Sequence, residues 1–113
     1  MAKHDVEFRV SFDGDAAVVA LSGELDVATA ELVDAVLDDV RGAGAALVVV
    51  DSEQVTFMDV AALRVFLTQL AKYEAARGHL VIVKPSSAVR RLIELTLTEE
   101  SLLPVTRRRS VRR

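Results

Sequence analysis

Six consecutive apolar residues, Ala45 to Val50, lie between Gly44 and Asp51, and a segment of helical periodicity stands on either side of them. Nothing else in the chain restricts its fold as much. Upstream, Val33, Val36, Leu37 and Val40 recur at the spacing of one helix face, with Glu31, Asp34, Asp38, Asp39 and Arg41 opposite. Downstream, between Val60 and Arg77, Leu63, Phe66, Leu67, Leu70 and Ala71 form a second stripe, with Arg64, Thr68, Gln69, Lys72 and Glu74 outside it. A short β-branched run between two such helices is a strand of a crossover unit. Its lack of a polar interruption predicts a central strand covered on both faces.

The other elements follow from the same periodicities. Val6, Phe8, Val10 and Phe12 alternate with Glu7, Arg9 and Ser11, as in a strand with one buried face. Asp13-Gly14-Asp15 supplies turn chemistry, and Ala16 to Leu21 a hairpin partner that Gly23 ends. Asp26 or Thr29 caps the first helix, Gly42 closes it, and Gly78 stops the second, which follows a loop. Leu80 to Val83 is a buried strand that Pro85 breaks. Ser86 or Ser87 then caps a third helix carrying Val89, Leu92 and Ile93 inward, and Leu102-Leu103-Pro104-Val105 supplies a last edge strand, where proline is tolerated. The order β-β-α-β-α-β-α-β predicts an α/β domain with a mostly parallel sheet and an antiparallel N-terminal edge strand.

Composition narrows the chemistry. At 113 residues, 51% hydrophobic and 27% charged, the chain has material for one globular core and is not disordered throughout. It has no cysteine, which removes disulfides, thiolate nucleophiles and Cys-ligated metals. His4 and His79, at no ligand spacing, argue against a His-built metal site or triad. The net charge of −3 is segregated: five of the 14 basic residues are Arg107, Arg108, Arg109, Arg112 and Arg113, so residues 1–106 hold nine basic against 17 acidic groups, or −8. Residues 1–106 are expected to form the domain and 107–113 a disordered basic tail, a solvated terminus rather than a nucleic-acid arm. No apolar run approaches the roughly 20 residues of a membrane span, and Met-Ala-Lys-His-Asp-Val-Glu is no signal peptide, so a cytoplasmic protein is expected.

Asp26, Asp51 and Asp59 fall near the carboxyl ends of the parallel strands, where open α/β sheets carry their sites. Three convergent carboxylates would hold a divalent cation or accept a phosphoryl group; capping of the helices by Asp26 and Asp59 is the favoured alternative. With no G-x-G-x-x-G, no P-loop and no aromatic stacking platform, the reading is a non-enzymatic chain with no cofactor and no metal.

Gly23-Glu24-Leu25-Asp26 after a buried strand, Val55-Thr56-Phe57-Met58-Asp59 before Leu63-Arg64-Val65-Phe66-Leu67, and Pro85-Ser86-Ser87-Ala88-Val89-Arg90-Arg91-Leu92 together resemble the STAS domain of bacterial anti-sigma factor antagonists. The resemblance implies a STAS-like fold over about Val6 to Val105. It also implies a binding protein that engages an anti-sigma factor, often a serine kinase, and thereby frees a sigma factor for transcription. The partner-binding residues it implies are Asp26, Thr56, Met58, Asp59, Val60, Ala61, Ala62 and Arg64. The chain departs from the family where a phosphoacceptor serine heads the second helix. Here Asp59-Val60-Ala61-Ala62 has no hydroxyl, Ala61 takes the serine position and Ala62 that of glycine, and Ser52-Glu53-Gln54 replaces the family's preceding loop. Phosphorylation would add about −1.5 to −2 charge, which Ala61 cannot accept. Alanine for glycine favours the first helical turn by up to about 1 kcal/mol. The expected protein is an antagonist not switched at the usual place, facing a kinase or a kinase-dead relative. The alternatives are a STAS-scaffold sensor for a nucleotide or lipid, and a non-switchable decoy of an active antagonist.

Overall fold

In the computed structural model, which describes residues 5–96, the chain opens with the predicted hairpin. Strand β1 (Val6–Asp13) turns at Gly14, where φ is +65°, and pairs antiparallel with β2 (Ala16–Leu25), from Val6 opposite Gly23 to Asp13 opposite Ala16. Helix α1 (Val27–Gly42) carries the chain to β3 (Leu47–Met58), and α2 (Val60–Ala75) to β4 (His79–Val83). Both new strands pair in parallel, giving the sheet order β1-β2-β3-β4, and α3 (Ser87–Thr96) follows. The element order thus matches expectation through α3. The predicted strand at Leu102–Val105 and the arginine tail lie outside the described residues.

The continuous apolar runs do not produce strands covered on both faces. Ala17, Val19, Leu21, Val48, Val50, Leu80 and Ile82 are buried, while Val18 and Leu47 are exposed on the reverse face. Successive side chains leave a strand on opposite sides, and α1 packs directly against α2, so both helices cover one face. Even that face is incompletely roofed. Val6 and Phe8 of β1 are half-buried, but Val10 and Phe12 remain 39% and 53% exposed.

β3 is twice as long as the apolar run that announced it, and the loop expected before α2 is strand. Its pairing with β2 shifts register between Ala20 and Ser22 and again between Gly23 and Glu24, with an extra residue on β3 each time. These bulges let Glu53 and Gln54 stay exposed while Val55 and Met58 return to the core. Gly23, expected to end β2, lies inside it at φ +103°, where a Cβ would collide with the Asp5 carbonyl.

The helix ends also differ from expectation in detail. Gly44, rather than Gly42, takes the left-handed position after α1, with Gly44 N–H donating to Arg41 O and Ala45 N–H to Val40 O. After α2 the equivalent position is Arg77, at φ +67°, with Arg77 N–H on Glu74 O at 3.0 Å and Gly78 N–H on Tyr73 O at 2.7 Å. Gly78 is needed for another reason: a Cβ there would strike the Ala46 carbonyl. The start of α3 agrees with expectation: of the two candidate serines Ser86 is the cap, accepting from Val89 N–H at 3.3 Å.

The α1–α2 contact holds a polar lock. Gln69, assigned by periodicity to the outer face of α2, is fully buried. Its Nε2 donates to Asp34 Oδ1 at 2.7 Å and to Asp38 Oδ1 at 3.0 Å, and its Oε1 accepts from Arg41 Nη1 at 2.8 Å. Gln69 and the Arg41 guanidinium hold the Asp38 carboxyl down at about 2, with Lys72 assisting. One turn on, the buried Tyr73 hydroxyl donates to Leu37 O at 2.8 Å, the Arg41 guanidinium stands 5.4 Å from its ring centroid, and burial pushes its pKa up. The stripe of α2 is therefore turned toward Ala62, Phe66, Gln69 and Tyr73, and Ala71 is exposed. This lock fixes the two helices relative to each other, and with them the positions of their N-termini.

Candidate functional site

Both helices begin on an aspartate in extended backbone at the end of a parallel strand. Asp26 Oδ1 accepts from Thr29 N–H at 3.0 Å while Thr29 Oγ1 accepts from Asp26 N–H at 2.9 Å, a capping box closed by threonine. Asp59 Oδ1 accepts from Ala61 N–H at 2.8 Å and Ala62 N–H at 3.4 Å. The two starts are tied together, because Asp59 N–H donates to Leu25 O at 3.0 Å and Leu25 pairs with Met58 across the sheet. Both carboxylates thus satisfy helix amides, the capping alternative weighed from the sequence.

Asp51 does not join them. It lies within β3, level with Ala20 and Val83, with Lys84 Nζ 3.9 Å away. The expected convergence of three carboxylates at one edge is not formed, because β3 runs on from Asp51 to Met58. Among the described residues no cluster of three or more carboxylate or histidine groups is disposed to hold a metal.

The surface around the two caps is apolar. Val27 and Val60, each directly after its capping aspartate, are 71% and 45% exposed, and Phe57 is 47% exposed. Thr56 is the extra residue of the second bulge, exposed, with its Oγ1 donating to Gly23 O at 3.3 Å. Arg64 is exposed one turn along α2, in a shallow cleft with Glu31 and Asp34 of α1. Of the residues singled out in the sequence, Thr56, Val60 and Arg64 are exposed, Asp59 and Ala61 half-buried, and Asp26, Met58 and Ala62 buried. Ala61 occupies the second position of α2 with only a methyl to offer. Ser52, the nearest serine upstream, is buried, its hydroxyl donating to Val83 O at 3.4 Å.

Two parts of this edge escaped the sequence reading. Val27 carried a signal, a large apolar residue at a first helical position outside the buried stripe. The second is a groove of about 380 Å³ between the end of β3 and α3, walled by Phe57, Met58, Ala88, Leu92 and Leu95 with Ser87 and Arg91. It exists because β4 stops at the level of Asp51 while β3 continues, and no local pattern announces that.

Among solved structures, an anti-sigma factor antagonist from Mycobacterium paratuberculosis is 24% identical over 90% of this chain and 86% of its own, with a TM-score of 0.78. The anti-sigma factor antagonist SpoIIAA in its unphosphorylated form is 22% identical over 92% and 97%, with a TM-score of 0.75. The Bacillus cell fate determinant SpoIIAA in the phosphorylated form is 20% identical over 86% and 89%, with a TM-score of 0.69. At these identities the likeness is one of fold. Among the described residues no helix is long and apolar enough to cross a membrane. The STAS domain model matches residues 7–110, nearly the whole length. With the mixed sheet of its described residues, an antiparallel first hairpin and paired capped helices, the chain belongs to the STAS domain family.

Proposed function

We propose that this chain is a binding module of the anti-sigma factor antagonist type, not an enzyme. It docks an anti-sigma factor on the edge formed by the starts of α1 and α2, frees a sigma factor, and is not switched by phosphorylation at the head of α2. The observation that carries this reading is the exposed apolar set Val27, Phe57 and Val60 around two capped helix starts, with Thr56 and Arg64 at its margin. Large apolar side chains left exposed beside polar ones suit a protein partner, and aromatic and arginine side chains are enriched at such interfaces. The names of the structural neighbours support the same class of partner. Ala61 supports the missing switch, since no hydroxyl stands at the second position of α2.

The test is a titration of the chain with its candidate anti-sigma factor by calorimetry, followed by incubation with ATP and mass spectrometry. Binding that persists with no phosphate incorporated is expected, and Ala61→Ser is expected to restore phosphorylation by a cognate kinase and weaken the complex. Stoichiometric phosphate on Thr56 or Ser52 of the native chain would refute the unswitched reading. An active antagonist displaces the sigma factor from its complex with the anti-sigma factor; a decoy binds without displacement.

The groove beside α3 favours a second reading, a sensor. Its apolar walls with Arg91 fit an amphipathic acid such as a fatty acid better than a nucleotide, which would need several placed polar groups. A thermal shift with fatty acids that Leu92→Trp abolishes would support it, and no shift across chain lengths would remove it.

A further inference from the structure

β1 is the outer strand of the described sheet. It pairs with β2 over its whole length with no register shift, and the Asp5 carbonyl accepts from Glu24 N–H at 3.0 Å. In antiparallel pairing each residue turns its N–H and C=O to the same side, and successive residues alternate. The odd-numbered residues of β1 therefore face β2, and Val6, Phe8, Val10 and Phe12 turn their backbone groups to the open edge. Sheets guard such edges with proline, bulges or charged side chains, lysine above all. β1 has no proline, bulge or lysine, and the charges it carries, Glu7, Arg9 and Asp13, alternate with the apolar side chains and so stand on the other face. Its apolar face is also unroofed at one end, where Val10 and Phe12 with Val36, Asp39, Val40 and Ala43 of α1 line a cleft of about 350 Å³.

We propose that this edge pairs antiparallel with β1 of a second copy, about a two-fold axis at Ser11. The side chains choose that register. With the axis at Ser11, Val10 lies opposite Phe12 of the second copy, twice over, on the face that carries the clefts. On the other face Arg9 lies opposite Asp13 of the second copy, again twice. Both are exposed and neither has an ion-pair partner within the described residues. An axis at Arg9 would set two guanidinium groups against each other, and one at Val10 would oppose Glu7 to Asp13; like charges directly opposite are destabilising. An axis at Phe8 would pair Glu7 with Arg9 but leave Phe12 outside the paired strand. Within the segment that pairs strand to strand, Arg9 to Asp13, the Ser11 register matches the charges and covers both exposed apolar side chains. An axis normal to the sheet puts α1 of each copy on the same face, so the two clefts adjoin. Ser11 pairs with Val18 toward the N-terminal end of β2, away from Asp26 and Asp59, so the proposed partner face stays open in both copies.

The chain has no cysteine, which makes the register directly testable. In this pairing the two Ser11 Cβ atoms approach to roughly 4.5–5.5 Å, near disulfide geometry. Sedimentation equilibrium of the full chain over a concentration series is expected to show a monomer–dimer equilibrium. Ser11→Cys is expected to cross-link under mild oxidation at least about ten times faster than the exposed control Glu31→Cys. Asp13→Arg should raise the dimer dissociation constant about tenfold, and the double variant Arg9→Asp/Asp13→Arg should restore it, with unchanged circular dichroism in each. A monomer at all concentrations overturns the proposal and leaves the edge to another partner. So does cross-linking no faster than the control, or a dimer indifferent to Asp13→Arg.

Discussion

Replacing Gln69 by leucine isolates the polar lock between α1 and α2. Leucine nearly fills the volume, so the loss is hydrogen bonding rather than a cavity. Three bonds of 2.7 to 3.0 Å vanish, each with an ionised partner on Asp34, Asp38 or Arg41. Bonds to charged groups contribute about 1.5–3 kcal/mol each, but their sum overstates the effect. The Asp38 and Arg41 side chains keep their own contact at 2.9 Å and are 39% and 26% exposed, so water re-solvates them, and burying leucine returns about 1.5–2 kcal/mol. A net loss of about 2–3 kcal/mol is expected, read as a lower midpoint in urea denaturation with an unchanged slope. Because the Gln69 amide is the leading cause of the low Asp38 pKa, the variant should also raise that pKa, visible by NMR titration of the carboxyl carbon. A loss below about 0.5 kcal/mol, the usual effect of an exposed substitution, together with an unmoved Asp38, would refute the lock and return Gln69 to the outer face of α2.

Asp38 also sets a pH dependence: its folded pKa is depressed from 3.8 to about 2, so its contribution is present above pH 4 and is lost as pH falls toward 2. The melting-temperature gap between the native chain and Asp38→Asn should therefore close over that window, and a gap constant from pH 6 to 2 would contradict the assignment. Arg77→Gly removes a side chain from a left-handed position and should stabilise the fold by about 0.5–1 kcal/mol in the same denaturation assay. Asp59→Ala deletes the cap of α2 and should cost about 1 kcal/mol. Val60→Asp should weaken anti-sigma factor binding at least about tenfold while leaving the melting temperature within a few degrees, since Val60 is exposed.

The sequence by itself determined the order of elements from β1 through α3, the crossover connections, the hairpin and the capping role of Asp26 and Asp59. These are local: a periodicity of two or 3.6, a turn residue or an Asp before a helix is written within a few neighbours. It also determined that the head of α2 has no hydroxyl. Only the tertiary structure decided the rest. Gln69 looked solvent-facing because a helical stripe fixes spacing, not which neighbour the stripe meets, and the acidic face of α1 turned out to be that neighbour. Ala45 to Val50 looked doubly covered because an apolar run records no face, and both helices chose the same one. Thr56 and Phe57 were assigned to a loop because a bulged strand breaks the alternation by which strands are read. The groove beside α3 and the uncovered end of β1 arise where one element outruns its neighbour, and relative length is a property of the assembled sheet that no single segment contains.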